Sequence, residues 1–320
     1  MLILNESDII QAVDFNELLK SVEEAFLIQE SGNFNMPDRT HIDNEGNVLL
    51  LMPCFTDDFF STKLVSVFPA NKNLGKPVIY GSVLLNDGKT GEPLTMLNGS
   101  KLTALRTGAV GAMGLLYTTP KNIKTLGLIG AGIQGFHQVL FACAVREIEK
   151  VFIYDPFNKN IETFIKDLKK YLPNIKFSRC LSAEDVLENS EAIITATTSL
   201  KPVLPDKKSL YEGKHIIGIG SYKPGMQELP DVLFKSLDQI FVDTEYAKKE
   251  SGDLSIQLDN GIIQEDQIYT LGQLIDKKVI IDESKTTLFK SVGMALFDLM
   301  VAKKIYSNAL QRGIGTEVKF

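Results

Sequence analysis

Positive charge is in short supply: 34 Lys and Arg stand against 40 Asp and Glu, for a net charge of −6 and a pI near 5.3. A chain without a basic face is not built to bind nucleic acid. Cysteine is also scarce. Cys54, Cys143 and Cys180 are odd in number and widely spaced, so they form neither a disulfide framework nor a zinc pattern. They read as small buried hydrophobes, and such usage fits a reducing compartment, the cytoplasm. The three histidines, His41, His137 and His215, have no H-x-x-x-H spacing and read as structural, so no metal centre is expected. No stretch approaches the ~18 apolar residues of a membrane span. The N-terminus, M-L-I-L-N-E-S-D, has neither the basic segment nor the apolar core of a signal peptide. A Walker A loop and a G-x-S-x-G elbow are both missing, which demotes phosphoryl transfer and serine chemistry. There are no internal repeats and no low-complexity tracts.

What is present is most informative at Lys124–Gly135, K-T-L-G-L-I-G-A-G-I-Q-G. A strand-like run containing Leu126, Leu128 and Ile129 feeds into Gly130, Gly132 and Gly135, and an amphipathic stretch follows. A second apolar run, Val151–Tyr154, ends in Asp155. That is the βαβ fingerprint of dinucleotide binding in its proper context. Gly130 permits the tight turn, Gly132 lets backbone reach a pyrophosphate, and Gly135 lets helix and strand pack closely. The helix N-terminus offers N–H groups and partial positive charge to the phosphates.

Asp155 has two readings: acceptor for both ribose hydroxyls of NAD, or turn residue before Pro156. The first predicts a preference for NAD(H), with NADP(H) as the alternative, because no Arg, Ser or Thr follows Asp155 to neutralise a 2′-phosphate. The expected cofactor-binding set is Gly130, Ala131, Gly132, Ile133, Gln134, Gly135 and Asp155, with Thr197, Thr198, Gly220, Ser221, Val292 and Gly293.

A length of 320 residues exceeds one typical domain. Residues 14–30 predict an amphipathic helix, with Asp14 as cap, Glu17 three positions on, and Phe15, Leu18, Leu19, Val22 and Phe26 on one face. From 40 to 118, apolar runs at Val48–Met52, Thr62–Phe68, Ile79–Leu85 and Pro93–Leu97 alternate with turn chemistry, which predicts an antiparallel sheet. A helix over Leu102–Leu116 follows. Residues 121–280 alternate strand and helix, with a helix capped at Ser182 and strands at 192–196, 215–219 and 239–242. That is the doubly wound parallel α/β pattern. Lys285–Leu310 reads as one helix, with Phe289, Val292, Leu296, Leu299 and Met300 on one side.

Three cations upstream of the glycine turn stand among apolar or small residues: Arg39 in M-P-D-R-T, Lys63 in S-T-K-L-V-S and Arg106 in L-T-A-L-R-T-G-A. Singly, such residues are usually solvated side chains. Together with L-N-D-G-x-T-G-E-P at 85–93, the glycine turn, Glu250-Ser-Gly-Asp-Leu254 and F-K-S-V-G-M-A-x-x-D-L at 289–299, they make nearly the whole chain resemble the ornithine cyclodeaminase/μ-crystallin family. The resemblance implies a Rossmann domain, residues 119–295, inserted into an α/β dimerisation and substrate domain built from residues 1–118 plus 296–320, and a homodimer. It also implies that Arg39, Lys63 and Arg106 hold the carboxylate of a small amino or imino acid.

Here the chain departs from the cyclodeaminase pattern. In the segment Gly220-Ser-Tyr-Lys-Pro-Gly225, Tyr222 stands where those enzymes carry a catalytic Asp. The implied activity is therefore NAD(P)H-dependent reduction of a cyclic 2-imino carboxylate, of the Δ1-pyrroline-2-carboxylate to proline type. Arg39 and Arg106 would clamp the carboxylate, and Lys63 would either donate a proton or bind the carboxylate alone. The alternatives are ornithine cyclodeamination, an alanine- or opine-type dehydrogenase and, least favoured, a non-catalytic crystallin-like binder.

Overall fold

The computed structural model describes residues 1–319, and they form two compact units. Unit 1 is Met1–Arg106 with the segment from Met294 onward; unit 2 is Thr107–Gly293. The divisions fall at 106/107 and 293/294, where sequence reasoning placed them at 118/119 and 295/296. The first lies inside a continuous helix.

Unit 1 opens with β1 (Leu2–Leu4), α1 (Glu6–Ala12) and α2 (Phe15–Ser31). Asp14 caps α2 by accepting from the Glu17 amide, and Gly32 ends it in the left-handed conformation. The strands β2 (Thr40–Asn44), β3 (Asn47–Phe55), β4 (Phe59–Val67), β5 (Ile79–Asp87) and β6 (Pro93–Asn98) form an antiparallel series. Two pairings were not foreseen: β1 adds parallel to β6, and a C-terminal strand, Thr316–Glu317, adds antiparallel to β1. The register places Met52, Lys63, Val83 and Leu97 in one row across four strands. That row is buried, on the sheet face packed by the C-terminal helix Ala295–Arg312.

The helix α3 (Gly99–Thr118) crosses the division between the units. Unit 2 continues with β7 (Thr125–Ile129), α4 (Ile133–Val145), β8 (Lys150–Tyr154), α5 (Ile161–Tyr171), β9 (Lys176–Arg179), α6 (Ala183–Asn189) and β10 (Ala192–Thr195). The remaining strands are β11 (His215–Gly218), β12 (Ile240–Val242), β13 (Ile268–Thr270) and β14 (Thr287–Lys290). All run parallel, in the order β13-β12-β14-β11-β10-β7-β8-β9. The order reverses direction between β7 and β10, the switch point where ligands of such sheets bind. The central strands are continuous buried runs, as a sheet covered on both faces requires. His215 is buried among them and bonded to Thr287, and burial holds its pKa down at about 4.

One expectation is corrected. Lys285–Leu310 is not a single helix, because Thr287–Lys290 is a strand between β11 and β12. Phe289 and Val292 match a helical spacing to Leu296, but Gly293 has φ +79° and breaks the path before the helix begins at Ala295. The β-branched and aromatic content of Thr-Leu-Phe, wholly buried, suits a central strand. Phe289 packs against Gly114 of α3, where an added Cβ would lie 2.1 Å from its ring. Phe289→Ala is expected to lower the unfolding free energy by about 3–5 kcal/mol, read by urea titration; a loss below about 1 kcal/mol would show that this strand is not part of the core.

Candidate active site

In unit 1, three segments far apart in sequence converge on one carboxylate. Lys63 comes from β4, Arg106 from α3, and Asp298 from the first turn of the C-terminal helix. Lys63 Nζ donates to Asp298 Oδ2 at 2.6 Å, and Arg106 Nε donates to Oδ1 at 3.1 Å. All three are buried, Asp298 to 1% exposure. The strand alternation turns Lys63 inward beside Ser61, and the N-terminal end of the helix adds a favourable partial charge at Asp298.

Burial pushes the Asp298 carboxyl up, but Lys63 and Arg106 outweigh it and hold the group below its ordinary range. Lys63 is brought down from 10.5 to about 8, first by burial, then by the charges of Arg106 and Arg39, against the pull of Asp298. Arg39, partly buried just before β2, thus bears electrically on Lys63. Cys54 stays a thiol, pushed up to about 12 by burial and by Asp298. Two buried cations, Lys63 and Arg106, share one buried anion, an excess of positive charge within these three groups. Arg106 spends only its Nε on Asp298, and its fork geometry suits a bidentate carboxylate.

Sequence reasoning named Arg39, Lys63 and Arg106 but missed Asp298. Its signal was its place as the acid of the segment F-K-S-V-G-M-A-x-x-D-L at 289–299, alone within the apolar stripe Leu296–Met300.

Unit 2 holds the glycine turn at the switch point. Gly130 has φ +102°, and an added Cβ would lie 2.6 Å from the Ala196 carbonyl oxygen. A Cβ on Gly135 would lie 2.1 Å from the Gly130 oxygen. Gly132 caps α4 with no side chain over the helix end, and the space beside it is open. Asp155 Oδ2 accepts from the Ala131 amide at 2.9 Å, while Oδ1 accepts from the amides of Phe157 and Asn158. Asn158 returns a bond to the Ala131 carbonyl at 2.8 Å. Asp155 is thus a turn residue that pins the glycine loop, and a carboxylate retains acceptor capacity beyond three bonds. The close-packed glycines, the uncapped helix end and the adjacent carboxylate fit a dinucleotide's pyrophosphate and ribose.

The other expected cofactor residues are organised by acids that sequence reasoning also missed. Glu228 accepts from the amides of Thr197, Gly220 and Ser221 and from the hydroxyls of Thr195 and Thr197. Asp243 accepts from the Ser291 hydroxyl and the amides of Val292 and Gly293. Ile133 and Thr198 are exposed, and Gln134 lies in the first turn of α4. Tyr222 is 39% exposed with Lys223 Nζ 5.9 Å from its ring centre, so no carboxylate stands at that position.

The depressed Lys63 pKa gives a stability signature. The folded state binds fewer protons than the unfolded chain between pH 8 and 10.5, so stability rises with pH in that window. Below about pH 8 the cost of burying the ammonium is present in full. Denaturant titrations are expected to show a wild-type minus Lys63→Met stability difference that rises from pH 8 toward 10.5; a flat difference would place Lys63 at its ordinary pKa.

Comparison with known proteins gives consistent results. The sequence model of the ornithine cyclodeaminase/mu-crystallin family matches residues 1–313. The chain is 34% identical over 330 residues to a Delta(1)-pyrroline-2-carboxylate reductase of Bacillus cereus, covering 100% of both. Among solved structures, Thermococcus litoralis Delta(1)-pyrroline-2-carboxylate reductase in complex with NADH and L-proline is similar with a TM-score of 0.92. That pair is 36% identical, covering 99% of this chain and 100% of the other. An archaeal alanine dehydrogenase dimer with bound NAD is similar with a TM-score of 0.90 and 30% identity, covering 100% and 99%.

Proposed function

The chain belongs to the ornithine cyclodeaminase/mu-crystallin family, and from that premise we propose that it reduces a cyclic 2-imino carboxylate, of the Δ1-pyrroline-2-carboxylate type, to the amino acid. The observation that carries this reading is the buried Lys63–Asp298–Arg106 group. It has positive charge to spare for a carboxylate and one ammonium whose pKa, about 8, is matched to proton transfer near neutrality. Tyr222 leaves out the base that deamination of ornithine requires, whereas imine reduction needs only a carboxylate clamp, a hydride and a proton.

In this reading the terminal nitrogens of Arg106, with Arg39, hold the substrate carboxylate. Asp298 fixes the Arg106 plane and the Lys63 ammonium before substrate arrives, so little ordering is left for the reactive complex. The Gly130–Gly135 turn, Asp155 and the Glu228-tied turns of unit 2 would hold a reduced nicotinamide dinucleotide, which would supply the hydride when bound. Lys63 gives the proton that the nitrogen needs. Asp155 beside the turn disfavours a 2′-phosphate, so NADH is the preferred donor.

Nicotinamide absorbance tests the reading. Steady NADH loss with Δ1-pyrroline-2-carboxylate is expected; proline formed from ornithine with no net NADH change would contradict it. Lys63→Met is expected to lower kcat by about 10²–10⁴-fold, and wild-type kcat/KM is expected to fall above about pH 8 as Lys63 of the free enzyme loses its proton. A variant that keeps kcat and raises only KM would remove the proton-donor role.

We further propose that the protein works as a homodimer joined through the open face of the unit 1 sheet. Register places Ile42, Leu49, Leu64, Tyr80, Leu84 and Met96 on the face opposite the buried row. Ile42, Tyr80 and Met96 are more than a third exposed. An apolar sheet face of this kind marks an association surface. Sedimentation is expected to show a wild-type dimer that Leu64→Arg converts to monomer; a monomeric wild type would contradict the proposal.

A further inference from the structure

Four ionisable side chains lie wholly buried where the central strands of unit 2 end: Glu228, Asp243, Asp253 and Lys290, each 0% exposed. Lys290 closes β14, and Asp243 follows β12. Lys290 Nζ stands 3.4 Å from Asp253 Oδ2 and donates to the Gly218 carbonyl at 3.3 Å. Asp253 Oδ1 accepts from the backbone amides of Glu228 and Leu229 at 2.7 and 2.9 Å. The Glu228 carboxylate in turn gathers the turns after β10 and β11. Its shortest bonds, 2.6 Å from the Thr197 amide and 2.7 Å from the Gly220 amide, tie those two turns to one group. They are also in close contact: a Cβ on Gly220 would lie 2.0 Å from the Thr197 oxygen.

Three of the Glu228 donors are backbone N–H groups, which cannot reverse their role. Both carboxylate oxygens are therefore committed as acceptors, the arrangement of an anion. Burial and the charge of Asp253 push its pKa up, Lys290 and the Thr197 bonds pull the other way, and the balance is upward. The group then holds three carboxylates against one ammonium, an excess of negative charge in a buried setting where charge acts strongly.

Resting on the reading that unit 2 holds NAD(H), we propose that Glu228 is a positioning residue with an electrostatic task. It fixes the two turns that carry Thr197, Gly220 and Ser221. With Asp253 it also gives the crevice at the strand ends a negative balance that favours the oxidised nicotinamide, which carries a positive charge, over the neutral reduced form. In the direction of imine reduction, that balance would favour the bound cofactor's oxidised, positively charged form. Lys290 limits the effect by offsetting one of the acids.

The test compares the affinities of the intact protein for NAD+ and NADH by fluorescence titration, with folding checked by circular dichroism. Glu228→Gln and Asp253→Asn each remove one negative charge. They are expected to weaken NAD+ relative to NADH by about three- to tenfold. Lys290→Met is expected to move the ratio the other way. A purely structural brace would weaken both nucleotides alike, so ratios unchanged in the variants that fold, whatever the absolute losses, overturn the electrostatic task. Should Glu228→Gln fail to fold, the opposite signs expected of Asp253→Asn and Lys290→Met decide the matter. A wild type that binds neither nucleotide overturns the NAD(H) reading itself, and this inference with it.

Discussion

The contact on which the proposed chemistry depends is the Asp298 carboxylate held between Lys63 and Arg106. Two cations cannot be kept out of water side by side without an anion between them, and breaking a buried pair of this kind costs about 3–5 kcal/mol. Asp298 therefore does two things at once. It makes the burial of Lys63 and Arg106 tolerable, and it orients them so that the Arg106 terminal nitrogens and the Lys63 ammonium keep fixed directions. Because β4, α3 and the C-terminal helix each supply one member, the site also locks the two ends of the chain into one unit.

Unit 2 uses the same physical device on backbone instead of side chains. Asp155 gathers the Ala131, Phe157 and Asn158 amides, Glu228 gathers the turns after β10 and β11, and Asp243 gathers the turn after β14. Each carboxylate satisfies N–H groups at a strand end, where no ladder partner remains. Turns fixed in this way need little reorganisation when a dinucleotide arrives, and the protein contributes chiefly position and charge while the cofactor contributes the hydride.

Much of this was legible in the sequence because it is local. The glycine turn, the Asp14 cap of α2, the Ser182 cap of α6 and the alternation of strands and helices all follow from neighbours within a few residues. Arg39, Lys63 and Arg106 were legible only together with the family-like segments of the chain, since singly such cations are usually solvated. What was hidden is non-local. β14 carries a fortuitous helical spacing, and only its place between β11 and β12 makes it a strand. The strand β1 is too short to signal itself, and its partner β6 lies some 90 residues away. Glu228 and Asp243 look like any solvated acid until the fold supplies their partners, and Asp253 and Asp298, though they stand in the family-like segments at 250–254 and 289–299, show no role without it. A buried charge announces itself only through what it touches.

The central claim is that Lys63 is a buried ammonium tuned toward neutrality and poised beside a carboxylate-binding Arg106. Nitrogen-15 NMR of the lysine side chains, titrated with and without L-proline as the product carboxylate, measures this directly. The account predicts that Lys63 titrates at about 8 in the free protein and moves upward when the added carboxylate binds. A Lys63 that titrates at its ordinary 10.5 and ignores proline would contradict it.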